Sequence, residues 1–158
     1  MNEALASAIL MLFAAAFPAV ACGQNLAMRE SDGLQWVCGG VGADERRALA
    51  ALNAQANLSL VFVTVKRGGY LADVELSLFD ANAKPARFTT ATDGPMCLLR
   101  LPPGKYRLEA SFAGTKRSSA ATISADAKQP VRAVFAFPGE PWDGIWASDE
   151  EKAQAREP

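Results

Sequence analysis

The chain has 158 residues, half of them hydrophobic and 21% charged, a globular composition sized for one domain with a tail. Its 16 basic and 17 acidic residues nearly cancel, which argues against broad electrostatic capture of nucleic acid. There is no histidine, so Ser-His-Asp and Cys-His nucleophile activation, His-ligated zinc hydrolysis and His-iron oxygenation are excluded.

Ala4 to Val20 is a nearly continuous apolar run that ends in Ala19-Val20-Ala21, the small-x-small pattern cut by a signal peptidase. At about 17 residues it is short for a membrane span, which needs about 20. The expectation is a signal peptide over 1–21 with cleavage between Ala21 and Cys22, although Met1-Asn2-Glu3 lacks the usual positive start. Glu3 is the only charge in this leader, so the mature chain is neutral overall. Ala19-Val20-Ala21-Cys22 also resembles the lipobox of bacterial lipoproteins, with Ala19 where Leu is usual. Lipidation of Cys22 and plain secretion both stay open. Three cysteines in an oxidising compartment leave one over. A lipid on Cys22 would leave Cys38 and Cys97 as a pair, and two buried unpaired thiols are the alternative.

Residues 22–33 are polar and mixed, and read as a tether. Leu34 to Cys38 alternates like a short strand, and Gly39-Gly40-Val41-Gly42 breaks it. Asp44 to Ala56 predicts a helix, with Leu49, Leu52 and Ala56 on one face and Asp44 and Glu45 at its positive end. Asn57 stops it. The period then changes from 3.6 to 2. Leu58 to Val65 is β-branched and apolar on both faces, which predicts a central strand covered on both sides. Gly68-Gly69 turns. Val74, Leu76 and Leu78 alternate with Asp73, Glu75 and Ser77, the sign of a strand with one wet face. Short strands follow at Arg87 to Thr90 and Met96 to Leu101, on either side of the turn Thr92-Asp93-Gly94-Pro95. After Pro102-Pro103-Gly104, the side chains of Tyr106, Leu108, Ala110 and Phe112 face inward, and Lys105, Arg107, Glu109 and Ser111 outward. Thr115 to Ser124 is an edge strand and Val131 to Phe137 closes the series. Short strands bounded by Gly and Pro predict a mainly β protein, an antiparallel sandwich over 58–137 preceded by one helix within 34–57. Residues 138–158, charged at their end, read as a mobile tail.

Thr92-Asp93-Gly94-Pro95 through Leu101-Pro102-Pro103-Gly104-Lys105-Tyr106-Arg107-Leu108 resembles the carboxypeptidase regulatory-like family, whose hallmark is a Thr-Asp turn, a strand, then Leu-Pro-x-Gly-x-Tyr. Gly94 follows Asp93 directly here, so the turn is tighter than the family's. The resemblance covers roughly Leu58 to Phe137. It implies an immunoglobulin-like or transthyretin-like sandwich and an accessory or binding role, with no cofactor and no reaction of its own. The histidines used by transthyretin-like hydrolases are absent.

Four features are candidates for function. Gly39-Gly40-Val41-Gly42 ahead of a helix offers free N–H groups to an anion, but Asp44 and Glu45 at the same end oppose one, which favours a structural loop. Asp73 and Glu75 share a strand face and offer a carboxylate pair for hydrolysis or a weak cation site, against an ordinary wet face. Asp93 reads as a turn former. Trp142 and Trp146, four apart between Pro and Gly residues, offer anchors for an envelope protein or a glycan, or fold back over the sandwich edge. Trp36 reads as core. The expectation is an exported, non-enzymatic module of the bacterial envelope, periplasmic or secreted. The alternatives are a small hydrolase using Asp73 and Glu75, and a structural lipoprotein anchored through Cys22.

Overall fold

A computed structural model of the chain describes residues 26–138. These residues are mainly β, with two sheets and one α-helix. Strands β1 (Arg29–Ser31) and β2 (Leu34–Gly39) form a tight hairpin. Its two turn residues, Asp32 and Gly33, have φ of 51° and 73°, the left-handed pair that a two-residue hairpin turn demands and that Asp-Gly supplies. Three residues of the expected tether over 22–33 therefore form a strand.

Helix α1 (Gly42–Leu52) runs into a single 3-10 turn, Asn53–Gln55, so the helix expected over Asp44 to Ala56 starts two residues early and tightens at its end. Its predicted apolar face is the one that packs. Leu49 and Ala56 are buried against Val37 of β2 and against Leu98, with Leu52 beside them.

The remaining strands are β3 (Leu58–Thr64), β4 (Glu75–Asp80), β5 (Phe88–Ala91), β6 (Met96–Arg100), β7 (Gly104–Phe112), β8 (Thr115–Ile123) and β9 (Val131–Phe137). One sheet has the order β1-β2-β6-β3-β9 and the other β5-β4-β7-β8. Both feed one core. Leu34, Leu58, Leu60, Phe62 and Leu99 enter it from the first sheet, and Leu76, Leu78, Leu108 and Ile123 from the second. The period-2 assignment of β7 holds for Tyr106, Leu108 and Ala110, which are buried, while Phe112 is half-buried with its ring 5.8 Å from that of Phe137. A one-residue slip would bury Arg107 and Glu109 in their place, at the cost of desolvating charge.

One pairing departs from the expected antiparallel pattern: β3 and β9 are parallel, from Leu58 opposite Val131 to Thr64 opposite Phe137. The cause is where the chain leaves the second sheet. Ile123 at the end of β8 pairs with Gly104, four residues beyond Arg100 at the end of β6, and β3 begins at that same end with Leu58 opposite Leu99. A strand entering the first sheet there runs along β3. Asn57 holds the junction: its side chain donates to the Leu101 carbonyl at 2.7 Å and accepts from the Leu101 amide at 2.9 Å, while its backbone carbonyl accepts from the Val131 amide.

Cys38 and Cys97 form a disulfide between directly facing positions of β2 and β6, their Cα atoms 4.1 Å apart. Both cysteines lie in the buried core. Closing a loop of 59 residues stabilises the fold by about 4 kcal/mol in the chain-entropy account.

Candidate interaction surface

The glycine-rich loop is closed from within. Gly40 and Gly42 have φ of 97° and 84°, which only glycine adopts freely, and the turned backbone aims its N–H groups at the start of α1. The Glu45 carboxylate accepts from the Gly40 amide at 3.0 Å and from the Val41 amide at 2.9 Å. Arg46 donates to the Gly40 carbonyl at 3.3 Å. A side chain from the first turn thus takes the place that an external anion would hold. The same loop packs on the turn that carries the family resemblance. A Cβ on Gly94 would fall on the Gly39 backbone, 2.8 Å from its Cα, so Gly94 is required by close approach.

The sequence-predicted carboxylates go to different places. Glu75 sits on the outer face of the second sheet, lining a small hollow with Glu109, Ser111 and Lys116. Asp93 instead faces Arg29 at 3.3 Å and lines a groove with Leu26, Gly39 and Glu45. Asp73 occupies a left-handed turn, φ 56°, ahead of β4. The hollow of Glu75 and the groove of Asp93 share no residue. Among the described residues the Asp93 carboxylate makes no hydrogen bond to the backbone of its turn, and the hydroxyl of the buried Thr92 accepts from the Val74 amide at 3.1 Å, tying the turn to the start of β4. Trp36 is half-buried rather than wholly core, its ring 5.1 Å from Phe88 and 5.1 Å beneath the Arg29 guanidinium. Ala21, Cys22, Trp142 and Trp146 lie outside the described residues, as does the tail expectation from residue 139 onward.

The outer face of the first sheet shows a feature that sequence reading missed. Helix α1, with Leu26 and Met28, covers its β2 and β6 columns through Val37 and Leu98. The β3 and β9 columns continue the same face with Val61, Val63 and Val65 beside Val134 and Ala136. Tyr70 bridges to Val63 across the following turn. Here the cover stops: Val65 is 62% exposed, Tyr70 51% and Val134 55%. These are three of the four exposed large apolar side chains among the described residues; Val65 and Tyr70 lie toward the end of β3, and Val134 lies midway along β9, opposite Val61. Lys66, Arg67 and Arg132 border them, and residues 58–70 and 131–137 carry no acid. The signal was present in the two-sided apolarity of Leu58 to Val65, which predicted cover on both sides; the described residues supply it on one side and over part of the other.

The chain matches no protein-family model and no curated protein.

Proposed function

We propose that this chain is an exported, non-enzymatic accessory module of the bacterial envelope, a transthyretin-like sandwich of the carboxypeptidase regulatory-like kind, that binds a protein partner through the outer face of β3 and β9. The observation that carries the reading is the clustering of Val65, Tyr70 and Val134 in the open beside a basic border. Contiguous exposed apolar surface rimmed by polar residues marks interaction sites, and an aromatic among aliphatics suits a binding centre. Two further observations support the setting. A disulfide buried between β2 and β6 suits an oxidising compartment, and the apolar leader ending in Ala19-Val20-Ala21 suits export. The Thr92 to Leu108 resemblance and the two-sheet core support the module reading.

Site-specific photo-crosslinking in cells of the producing organism tests it. A photoreactive residue at Val65 or Val134 should yield one dominant adduct with a second envelope protein. The same residue at Ser118, exposed on the opposite sheet, should not. Equal adducts from all three positions, or none from the β3–β9 face, would overturn the reading.

A further inference from the structure

We propose that the partner of the β3–β9 face docks by strand addition: it lays an extended segment, apolar at its centre and acidic toward its ends, along the open edge of β9. The proposal rests on reading that face as an interaction surface and names the chemistry by which a partner is recognised there.

The backbone of β9 points to it. This strand ends the first sheet, and its ladder is the parallel one with β3. The Val131 amide donates to the Asn57 carbonyl, and the Phe137 carbonyl accepts from the Val65 amide. Backbone groups alternate in direction along a strand. Val131, Ala133, Phe135 and Phe137 therefore bond to β3, and Arg132, Val134 and Ala136 present their N–H and C=O groups at the edge. Among the described residues only the Ala136 carbonyl of this set has a partner, Arg117 of β8, which donates from Nε at 3.1 Å. The other sheet edges offer less: β1 and β5 are three and four residues long, and β8 is polar on its exposed side, with Lys116, Ser118 and Thr122. Strand β9 has seven residues and continues the apolar face of Val61 and Val63.

Charge and size select the occupant. Val134 lies at the middle of the edge, with Arg132 before it and Lys66 and Arg67 just beyond the bond between Val65 and Phe137 at its end. Neither these three cations nor Arg117 forms an ion pair among the described residues, and residues 58–70, 115–123 and 131–137 hold no acid. A second copy paired edge to edge would bring two such basic borders together, and like charges facing across strands are destabilising. A strand with an apolar side chain beside Val134 and acids on either side of it meets the same border as its opposite charge. Val65, Tyr70 and Val134 alone fall well short of the ~800 Å² per partner of a standard interface. Main-chain pairing along an edge supplies affinity that the face lacks, and alternate side chains supply specificity.

Selection of random nonapeptides displayed on phage, against the full chain without its apolar leader, tests this. Enriched peptides should carry acids and apolar residues at period 2. N-methylation of a selected peptide should abolish binding at alternate positions only, because half of its amides face β9. Its binding should raise hydrogen-exchange protection of the Arg132, Val134 and Ala136 amides, read by NMR. Val134→Ala and Val134→Pro both cut back the exposed side chain, but only proline removes the edge N–H, at a position where no ladder bond is lost. Val134→Pro should therefore bind the peptide at least about tenfold more weakly than Val134→Ala. No enrichment, peptides enriched in bases, methylation effects without alternation, or edge amides left unprotected would each overturn the proposal. So would equal binding by the two variants; should Val134→Pro fail to fold, methylation and wild-type exchange decide. A photo-adduct at Val134 with unprotected edge amides would leave the face reading standing and strike strand addition, and edge-bound peptides with no adduct in cells would do the reverse.

Discussion

Replacing Glu45 with alanine removes the carboxylate that closes the glycine loop, and the structure sets the size of the effect. Two backbone amides, Gly40 and Val41, lose a charged acceptor at 3.0 and 2.9 Å, and an eleven-residue helix loses a negative group at its positive end. The Val41 amide is open to water and the Gly40 amide is half-buried, so water repays much of the first loss and less of the second. Loss of a helix cap costs about 0.5–2 kcal/mol and the helix-dipole contribution about 0.3–1 kcal/mol; together they place Glu45→Ala near 1.5 kcal/mol. For a domain of this size that is a fall in Tm of roughly 6–9 °C. Asp44→Ala, one position earlier, touches only the exposed Arg47 pair and should change stability by less than about 0.5 kcal/mol. Urea melts of both variants measure the difference. Phosphate should not stabilise the wild type, because its docking site is already filled. A Glu45→Ala variant as stable as wild type, or a wild type that melts higher in phosphate than in chloride of equal ionic strength, would refute the reasoning.

Three further outcomes follow from the core. Leu108→Ala, at a wholly buried position paired with Leu78, should cost about 3–4 kcal/mol in denaturant melts, whereas Arg107→Ala should cost about 1 kcal/mol, since its guanidinium lies 4.2 Å over the Phe79 ring and pairs with Glu109 at 2.6 Å on a half-exposed face. Reduction of Cys38–Cys97 should lower stability by about 4 kcal/mol, read as a shift in urea midpoint between oxidised and reduced protein. Burial raises the Tyr106 pKa above its ordinary 10.0, with Asp80 adding to the rise and Arg87 opposing it, and its hydroxyl donates to the Pro102 carbonyl at 2.8 Å. The folded state then holds that proton more tightly than the unfolded one, so stability is level below pH 10 and falls as pH rises toward the folded pKa; Tyr106→Phe should be less stable at neutral pH and lose less stability above pH 10 than the wild type.

How much of this was legible in the sequence depends on how local the cause is. The α1 face, the wet and dry faces of β4 and β7, and the turns at Gly68, Gly94 and Gly104 follow from side-chain period and turn chemistry, which act over a few residues. The β1–β2 hairpin was equally local, and its Asp32-Gly33 signal was available, but a three-residue strand has too few side chains to show alternation. The parallel β3–β9 pairing was not legible, because it depends on which end of the second sheet the chain leaves from. Pairing of Cys38 with Cys97 was open for the same reason: parity suggested it, and only the β2–β6 register brings the two face to face. The carboxylates and the glycine loop looked like chemistry because sequence shows residue types without partners. Arg29 meets Asp93 from 64 residues away, and Glu45 fills the loop that precedes it. The β3–β9 face was half legible: period 2 marks Val61, Val63 and Val65 as apolar and outward, but where the helix stops covering them is a tertiary fact.

The central claim is that the β3–β9 face binds an envelope partner, and the most direct measurement is partner capture by surface variants that place a charge on that face. Val65→Glu and Val134→Glu alter side chains that are more than half exposed, so each should melt within about 0.5 kcal/mol of wild type. The account predicts that the partner identified by crosslinking co-purifies with wild type and with a Ser118→Glu control, and is lost from both valine variants. Retention of that partner by the valine variants at wild-type levels would contradict it.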